Sequence, residues 1–197
     1  SLDRLASELT VQTPDATSLN SALRLLTLGD CEDERGHYTL AARACDDIAG
    51  LLPADHPTAL TAQASLLGIQ IKLGEKSIQD TEPALLALVQ QADPACGIRA
   101  RRSLSFGLRW SGRATEAAQL LREALDIAQR QASPLVVASL QAQLADIHLQ
   151  TCALDKAGQL FEQAALIFSA FSLKRAAWCT ANLGVVRIEQ GRHEDAE

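Results

Sequence analysis

Arginine and aromatic side chains recur along residues 99–110 at spacings that could form a binding site. The residues are Arg99, Arg102, Phe106, Arg109 and Trp110. Steps of three and four residues place such side chains on one side of a helix. Guanidinium groups present fixed forks of donors to carboxylates or phosphates, and a neighbouring aromatic ring accepts an apolar side chain. The pattern predicts a patch that binds an acidic segment with an apolar anchor.

A second interpretation assigns the same residues to packing. Phe106 and Trp110 would then fill space between helices, and the arginines would pair with acidic residues further along the chain, such as Asp146. Buried aromatic rings and paired arginines are common structural features. Both interpretations stay open at the level of sequence.

Side chains that could catalyse a reaction are scattered. The four histidines, His37, His56, His148 and His193, form no HExxH motif, and the single glycines at turns form no phosphate-binding loop. Cys152 follows His148 by four residues, a spacing that could pair a thiol with a base. We expect His148 to pack in the core or in a groove. The sequence therefore predicts a non-enzymatic protein with no cofactor and no metal.

The composition favours a helical protein. Of the 197 residues, 47% are hydrophobic and only 4% aromatic, and the formal net charge is -6. Such apolar content suffices for a sizeable core, while the acidic balance argues against a nucleic-acid surface. No segment has the length of a membrane span and the first residues are not a signal peptide, so we expect a cytoplasmic protein.

Five cysteines show neither a metal-binding nor a disulfide pattern. An odd number without CxxC spacing indicates reduced thiols. We expect Cys31, Cys45, Cys152 and Cys179 to lie in or beside helices, where a small buried apolar side chain is the usual role of cysteine.

A large residue followed by a small one recurs along the whole chain. The pairs begin at Leu28, Leu67, Leu104, Leu144 and Leu183, at intervals of 39, 37, 40 and 39 residues. A fixed period of this length is typical of stacked helix pairs. It predicts an all-α fold, a right-handed α-solenoid of about five antiparallel helix pairs in a single domain. The predicted units are 16–53, 57–92, 94–131, 134–170 and 173–197.

Two details accompany this assignment. The second helix of the second unit is expected to begin only near Pro83, after a polar loop. Residues 1–11 have the spacing of a leftover half repeat, and Ala196 stands where the last second helix would begin. We therefore expect the chain to be a fragment of a longer protein, because repeat arrays need capped ends.

The spacing of the small residues resembles the tetratricopeptide repeat (TPR) family. The matching residues in the fourth unit are Leu144, Ala145, Leu154, Ala157, Phe161 and Ala164. Those in the fifth are Asn182, Leu183, Gly184, Gly191 and Ala196. The usual TPR unit has 34 residues, and these longer units are similar to a variant of about 40 residues in bacterial regulatory proteins.

The resemblance implies a scaffold whose first helices line a concave groove. Counted from the large residue, the inward positions lie two before, two after, five after and six after. They are Arg102, Phe106, Arg109 and Trp110 in the third unit and include Asp30, Asp33 and Glu34 in the first. Trp178 and Asn182 of the fifth unit, with Asp146, would extend the patch.

The implied partner is a protein or peptide segment that places acidic groups on Arg99, Arg102 and Arg109. A carboxylate clamp of the kind some family members use is not expected, because Phe106 occupies a position that needs Asn. The alternative is a small-ligand sensor or a dimerisation module of a diguanylate cyclase or a maltose-regulon-type activator, with a homodimer formed through the repeat ends. Neither nucleic acid nor membrane is an expected partner of this segment.

Overall fold

The computed structural model describes residues 15–91 and 93–192, apart from the side chain of Glu34. This part of the chain consists of α-helices joined by short turns and contains no strand. The helices are α1 (Ala16–Arg35), α2 (Tyr38–Ala49), α3 (Pro57–Leu73), α4 (Ile78–Val89), α5 (Pro94–Trp110), α6 (Ala114–Arg130), α7 (Pro134–Gln150), α8 (Leu154–Ser169) and α9 (Leu173–Glu189). The predicted all-α fold is confirmed. Both the half repeat at 1–11 and Ala196 lie outside the described residues.

The chain divides between Lys76 and Ser77 into two compact units. The first contains α1, α2 and α3, and the second contains α4 to α9. The large-small pairs all lie on the odd-numbered helices, and each of the first four pairs marks the first helix of a described helix pair.

The start of α4 corrects the sequence-based expectation. The helix begins at Ile78, five residues before Pro83, which lies in its interior. The Asp80 amide donates to Ser77 Oγ at 3.2 Å, and the Ser77 amide donates to Asp80 Oδ2 at 3.3 Å. This capping box satisfies free amides at the helix start. The polar residues before Pro83 therefore begin a helix and do not form a long loop.

Close approach between the two helices of a pair depends on the small residue. In the third repeat (94–131), Ser105 Oγ donates to the Ala117 carbonyl on α6 at 3.1 Å. Leu104 and Ala117 are 1% and 0% exposed. A small side chain at each contact lets the backbones approach while the neighbouring leucine fills the remaining space.

The core between α7, α8 and α9 also combines small residues with a large one, which here is aromatic. Phe161 is fully buried and packs with small residues of all three helices. These residues include Ala138, Ala145, Ala157, Ala164 and Cys179. Of the residues that carry the TPR resemblance in the fourth repeat (134–170), Ala145, Ala157, Phe161 and Ala164 belong to this core, and the half-buried Leu154 packs against it.

The turns that follow the odd-numbered helices share a left-handed residue. Gly36, Gly74, Gly112 and Gly191 have φ between 72° and 82°, and Cys152 takes the corresponding place with φ of 56°. A non-glycine residue pays a steric cost in this conformation. Because Cys152 lies in a turn it is exposed, and Cys31 is exposed on α1, so these two cysteines are not the buried side chains we expected.

Candidate functional site

Five residues of the predicted patch lie on α5, whose start is well defined. Asp93 Oδ2 accepts a hydrogen bond from the Cys96 amide at 2.8 Å, and Pro94 occupies the first turn. A side-chain cap followed by proline is a strong helix start. Helix α5 therefore carries the list predicted from sequence: Arg99, Arg102, Phe106, Arg109 and Trp110.

Arg109 forms an ion pair with Asp146 on α7. Arg109 Nη1 donates to Asp146 Oδ2, and the two side chains are 16% and 26% exposed. Burial lowers the pKa of the Arg109 guanidinium below its usual value. For this arginine, the structure agrees with the interpretation that pairs it with an acidic residue of the next repeat. A ligand carboxylate at Arg109 would have to compete with Asp146.

Two aromatic rings flank the Arg109 guanidinium. Its central carbon lies 5.6 Å from the Phe106 ring centroid and 5.4 Å from that of Trp110. The two rings are themselves 6.2 Å apart at 59°. These distances allow cation–π attraction between the guanidinium and both rings. Arg109 Nε is buried and has no acceptor within the described part of the chain, so one donor of this guanidinium is unsatisfied.

Trp110 is the most exposed residue of the patch. Trp110 is 70% exposed, although tryptophan residues are usually largely buried. Phe106 is half-buried beneath it. An exposed indole beside a desolvated guanidinium offers a rigid apolar surface to a partner.

Arg102 also contacts α7. With the Gln143 amide oxygen turned toward it, Arg102 Nε and Nη2 donate to that oxygen at 3.2 and 3.0 Å. Gln143 and Asp146 stand three residues apart on α7, so they face the same side. The two arginines therefore tie the first helices of two consecutive repeats together. Arg99 lies half-buried one turn earlier on α5.

An analogous ion pair occurs in the first compact unit, between two consecutive repeats. Lys72 Nζ donates to both carboxylate oxygens of Asp33, at 2.5 and 2.7 Å, and lies 5.4 Å from the Tyr38 ring centroid. Lys72 stands five residues after its pair leucine, as Arg109 does. Asp33 was predicted as an acidic groove residue, whereas Lys72 was not, although its position in the repeat register corresponds to that of Arg109.

Trp178 and Asn182 both lie on α9, where they make local contacts. The Trp178 ring packs edge-on against Phe161 of α8, with centroids 5.7 Å apart at 76°. Asn182 Nδ2 donates to the Trp178 carbonyl at 2.8 Å. Trp178 remains 48% exposed. These contacts explain how Trp178 is held, and its membership of the patch stays a prediction.

The other described side chains that could do chemistry do not form a centre. His148 is half-buried, and burial followed by the charges of Arg122 and Lys156 lowers its pKa. His148 and Cys152 form no side-chain hydrogen bond in the described ranges. Across residues 15–91 and 93–192, no cluster of three ligating side chains could hold a metal. None of the helices described is long and apolar enough to cross a membrane.

Several solved structures share this architecture. A Rap protein complexed with competence and sporulation factor is similar with a TM-score of 0.70 and 15% identity, over 89% of this chain and 50% of that chain. The apo form of RapI is similar with a TM-score of 0.64 and 14% identity, over 89% and 66%. A kinesin light chain protein from P. anserina, with nearly identical TPR-like repeats, has a TM-score of 0.57 and 19% identity, over 89% and 90%.

The fold is a tetratricopeptide-type helical repeat. The resemblance inferred from sequence is thus confirmed at the level of the fold. This TPR-type chain spans half the length of the Rap protein that it matches. No protein-family model and no curated protein sequence matches it.

Proposed function

We propose that this TPR-type chain is a non-catalytic scaffold that binds a peptide or protein segment on α5 and α7, as the regulatory region of a larger cytoplasmic bacterial protein. The observation that carries this proposal is the exposed Trp110 ring 5.4 Å from the largely buried Arg109 guanidinium. Rigid aromatic and arginine side chains are the residue types that dominate binding energy at protein interfaces. One structural neighbour, the Rap protein, holds competence and sporulation factor, which supports a binding role for this fold.

The bound segment would use an apolar side chain as its anchor. That side chain would lie on Trp110 and Phe106, while an acidic group of the segment would approach Arg99 and Arg102. Because Asp146 already pairs with Arg109, the arginine would act mainly by holding the Trp110 ring. This assignment keeps the predicted acidic partner and changes the role of Arg109.

A binding experiment with defined peptides tests the proposal. Fluorescein-labelled nonapeptides with a central phenylalanine, flanked by aspartates or by lysines, would be titrated with the 197-residue chain and followed by anisotropy. We expect the aspartate peptide to bind more tightly, and Trp110→Ala to weaken it about tenfold or more. Leu166→Ala is the matched control, because Leu166 is also a highly exposed apolar residue but lies on α8.

Two further variants define the extent of the patch. Arg102→Glu should remove the preference for the aspartate peptide, and Trp178→Ala should weaken binding only if the surface reaches α9. Equal affinity of wild type, Trp110→Ala and Arg102→Glu for the aspartate peptide would overturn the proposal.

The second candidate, a dimerisation module, is favoured by the apolar side chains exposed on α9. Leu173, Ile188 and Val185 are 80%, 50% and 44% exposed. Apolar residues at that exposure are common where a second protein surface binds. Light scattering would distinguish the candidates, because a dimer that Ile188→Glu dissociates supports this role and a monomer contradicts it.

A further inference from the structure

A groove lies between α4 and α6, with α5 beneath it. It encloses about 460 Å³, and its principal lining residues are Leu86, Leu104, Leu108, Leu120, Glu82 and Glu116. Leu104 and Leu108 face the other way from Phe106 on α5, because residues two apart on a helix differ by about 200°. The groove is therefore separate from the surface that carries Trp110.

The floor and walls of this groove are apolar. Leu104 and Leu108 are 1% and 2% exposed and form part of the core, whereas Leu86 is 44% exposed at the groove. A volume of this size lies within the range of about 300–1,000 Å³ typical of small-molecule sites. The leucines favour a ligand with an apolar body, since contact with them removes its surface from water.

One end of the groove carries an excess of negative charge. Arg113 Nε and Nη2 donate to the two Glu116 oxygens at 2.8 and 2.7 Å, and Arg113 Nη1 donates to Glu82 Oε2 at 2.7 Å. Two carboxylates thus share one guanidinium, which leaves a formal charge of minus one. Glu82 Oε1 accepts from no donor among the described residues, so Glu82 has an acceptor available at the groove.

The other basic residue of the groove does not cancel this charge. Arg122 lines the groove, and its Nη1 donates to Gln119 Oε1 at 3.1 Å. Arg122 follows Glu116 by six residues on α6, a separation of about 9 Å along the helix axis, and therefore stands outside the cluster that Arg113 forms with Glu82 and Glu116. The acidic end of the groove therefore attracts a cation, while the remainder accepts an apolar group.

We propose that this groove binds a small organic cation, whose apolar body contacts Leu86, Leu104, Leu108 and Leu120 and whose ammonium group binds Glu82. This site does not depend on the peptide-binding role of α5 and α7. The required ligand is an aromatic or branched aliphatic amine, because a carboxylate in place of the ammonium group would be repelled by Glu82 and Glu116.

Three probes with a common phenethyl group test the charge requirement on the intact chain. Phenethylammonium, 2-phenylethanol and 3-phenylpropionate share an apolar body and differ in charge. We expect backbone amide NMR signals of α4 and α6 to shift on titration, with the cation binding about fivefold more tightly than the alcohol. The anion should bind most weakly.

Two variants and a control locate the site. Glu82→Gln should remove the preference for the cation and leave the affinity for the alcohol unchanged. Leu86→Ala should weaken all three probes, while Leu166→Ala on α8 should change none. Circular dichroism of each variant would verify that it is folded.

The proposal fails if the three probes bind wild type equally, if none binds at about 10 mM, or if the shifted signals lie outside α4, α5 and α6. It also fails if Glu82→Gln retains the full preference for phenethylammonium. The three probes are compared on the wild-type chain, so the charge preference can be measured even if a variant does not fold.

Discussion

The side chains of Arg109 and Asp146, 37 residues apart in the sequence, form an ion pair that joins α5 to α7. In the first unit, Lys72 and Asp33 join α3 to α1 in the same way. A basic residue five positions after the pair leucine thus contacts an acidic residue on the neighbouring first helix in both units. The polar face of this repeat protein contributes to the stacking of its helices.

Removal of the counterion from Arg109 should destabilise the fold. Asp146→Asn leaves a largely buried guanidinium without its carboxylate, so we expect the free energy of unfolding to fall by about 1–3 kcal/mol. The double variant Arg109→Met/Asp146→Leu should lie within about 1 kcal/mol of wild type, because apolar side chains of similar volume replace a buried pair well. Urea unfolding measures both values. An Asp146→Asn variant as stable as wild type would show that the ion pair contributes nothing.

Gly107 is required by the position of Ile78. A Cβ at residue 107 would lie 2.6 Å from Ile78 Cδ1 and 3.2 Å from Ile78 Cβ, and Ile78 is buried. We expect Gly107→Ala to reduce stability by about 1–3 kcal/mol through overpacking. Gly158→Ala is the matched control in α8, where the nearest atom would be Val186 Cγ1 at 3.5 Å. That change should stabilise the protein by about 0.5–1 kcal/mol, and thermal melting that ranks the two variants in reverse would refute the steric argument.

Cys152 is strained in its turn. Its φ of 56° is left-handed, and the corresponding residue in four other turns is glycine. Because the side chain is exposed, Cys152→Gly should relieve the strain at little cost in packing and raise stability by about 1 kcal/mol. Gly112→Ala introduces the same strain and should lower stability by a similar amount. Differential scanning calorimetry would compare them; a lower melting temperature for Cys152→Gly would contradict this account.

His148 should make the fold less stable in mild acid. Its pKa is lowered below the reference value of 6.5 by burial and by the charges of Arg122 and Lys156. The unfolded chain therefore binds a proton more readily, so this contribution to stability is present above pH 6.5 and is lost as pH falls through the folded pKa. We expect the melting temperature of His148→Gln to fall less than that of wild type between about pH 7.5 and pH 5.5. Equal losses would assign the acid sensitivity to other groups.

Much of the helical architecture could be predicted from local features. The Asp93-Pro94 start of α5 and Gly112 after its end are signals that depend on the preceding and following few residues. The start of α4 was missed because the polar run around Ser77 and Asp80 contains a capping box, which resembles a loop in composition. The exposed positions of Cys31 and Cys152 were missed because a helical or turn residue can face either solvent or core.

The helix pairs and the TPR-type fold follow from local sequence, since the large-small pair and the turn glycines act through neighbouring residues and repeat with the period of the stack. Local sequence also places Arg102, Phe106, Arg109 and Trp110 on one helix. The pairing of Arg109 with Asp146 and the exposure of the Trp110 ring are properties of the folded structure. Those outcomes depend on how α5 packs against α7. The spacing of residues along a helix shows which side chains share one side of it, but not which atoms of a neighbouring helix contact them.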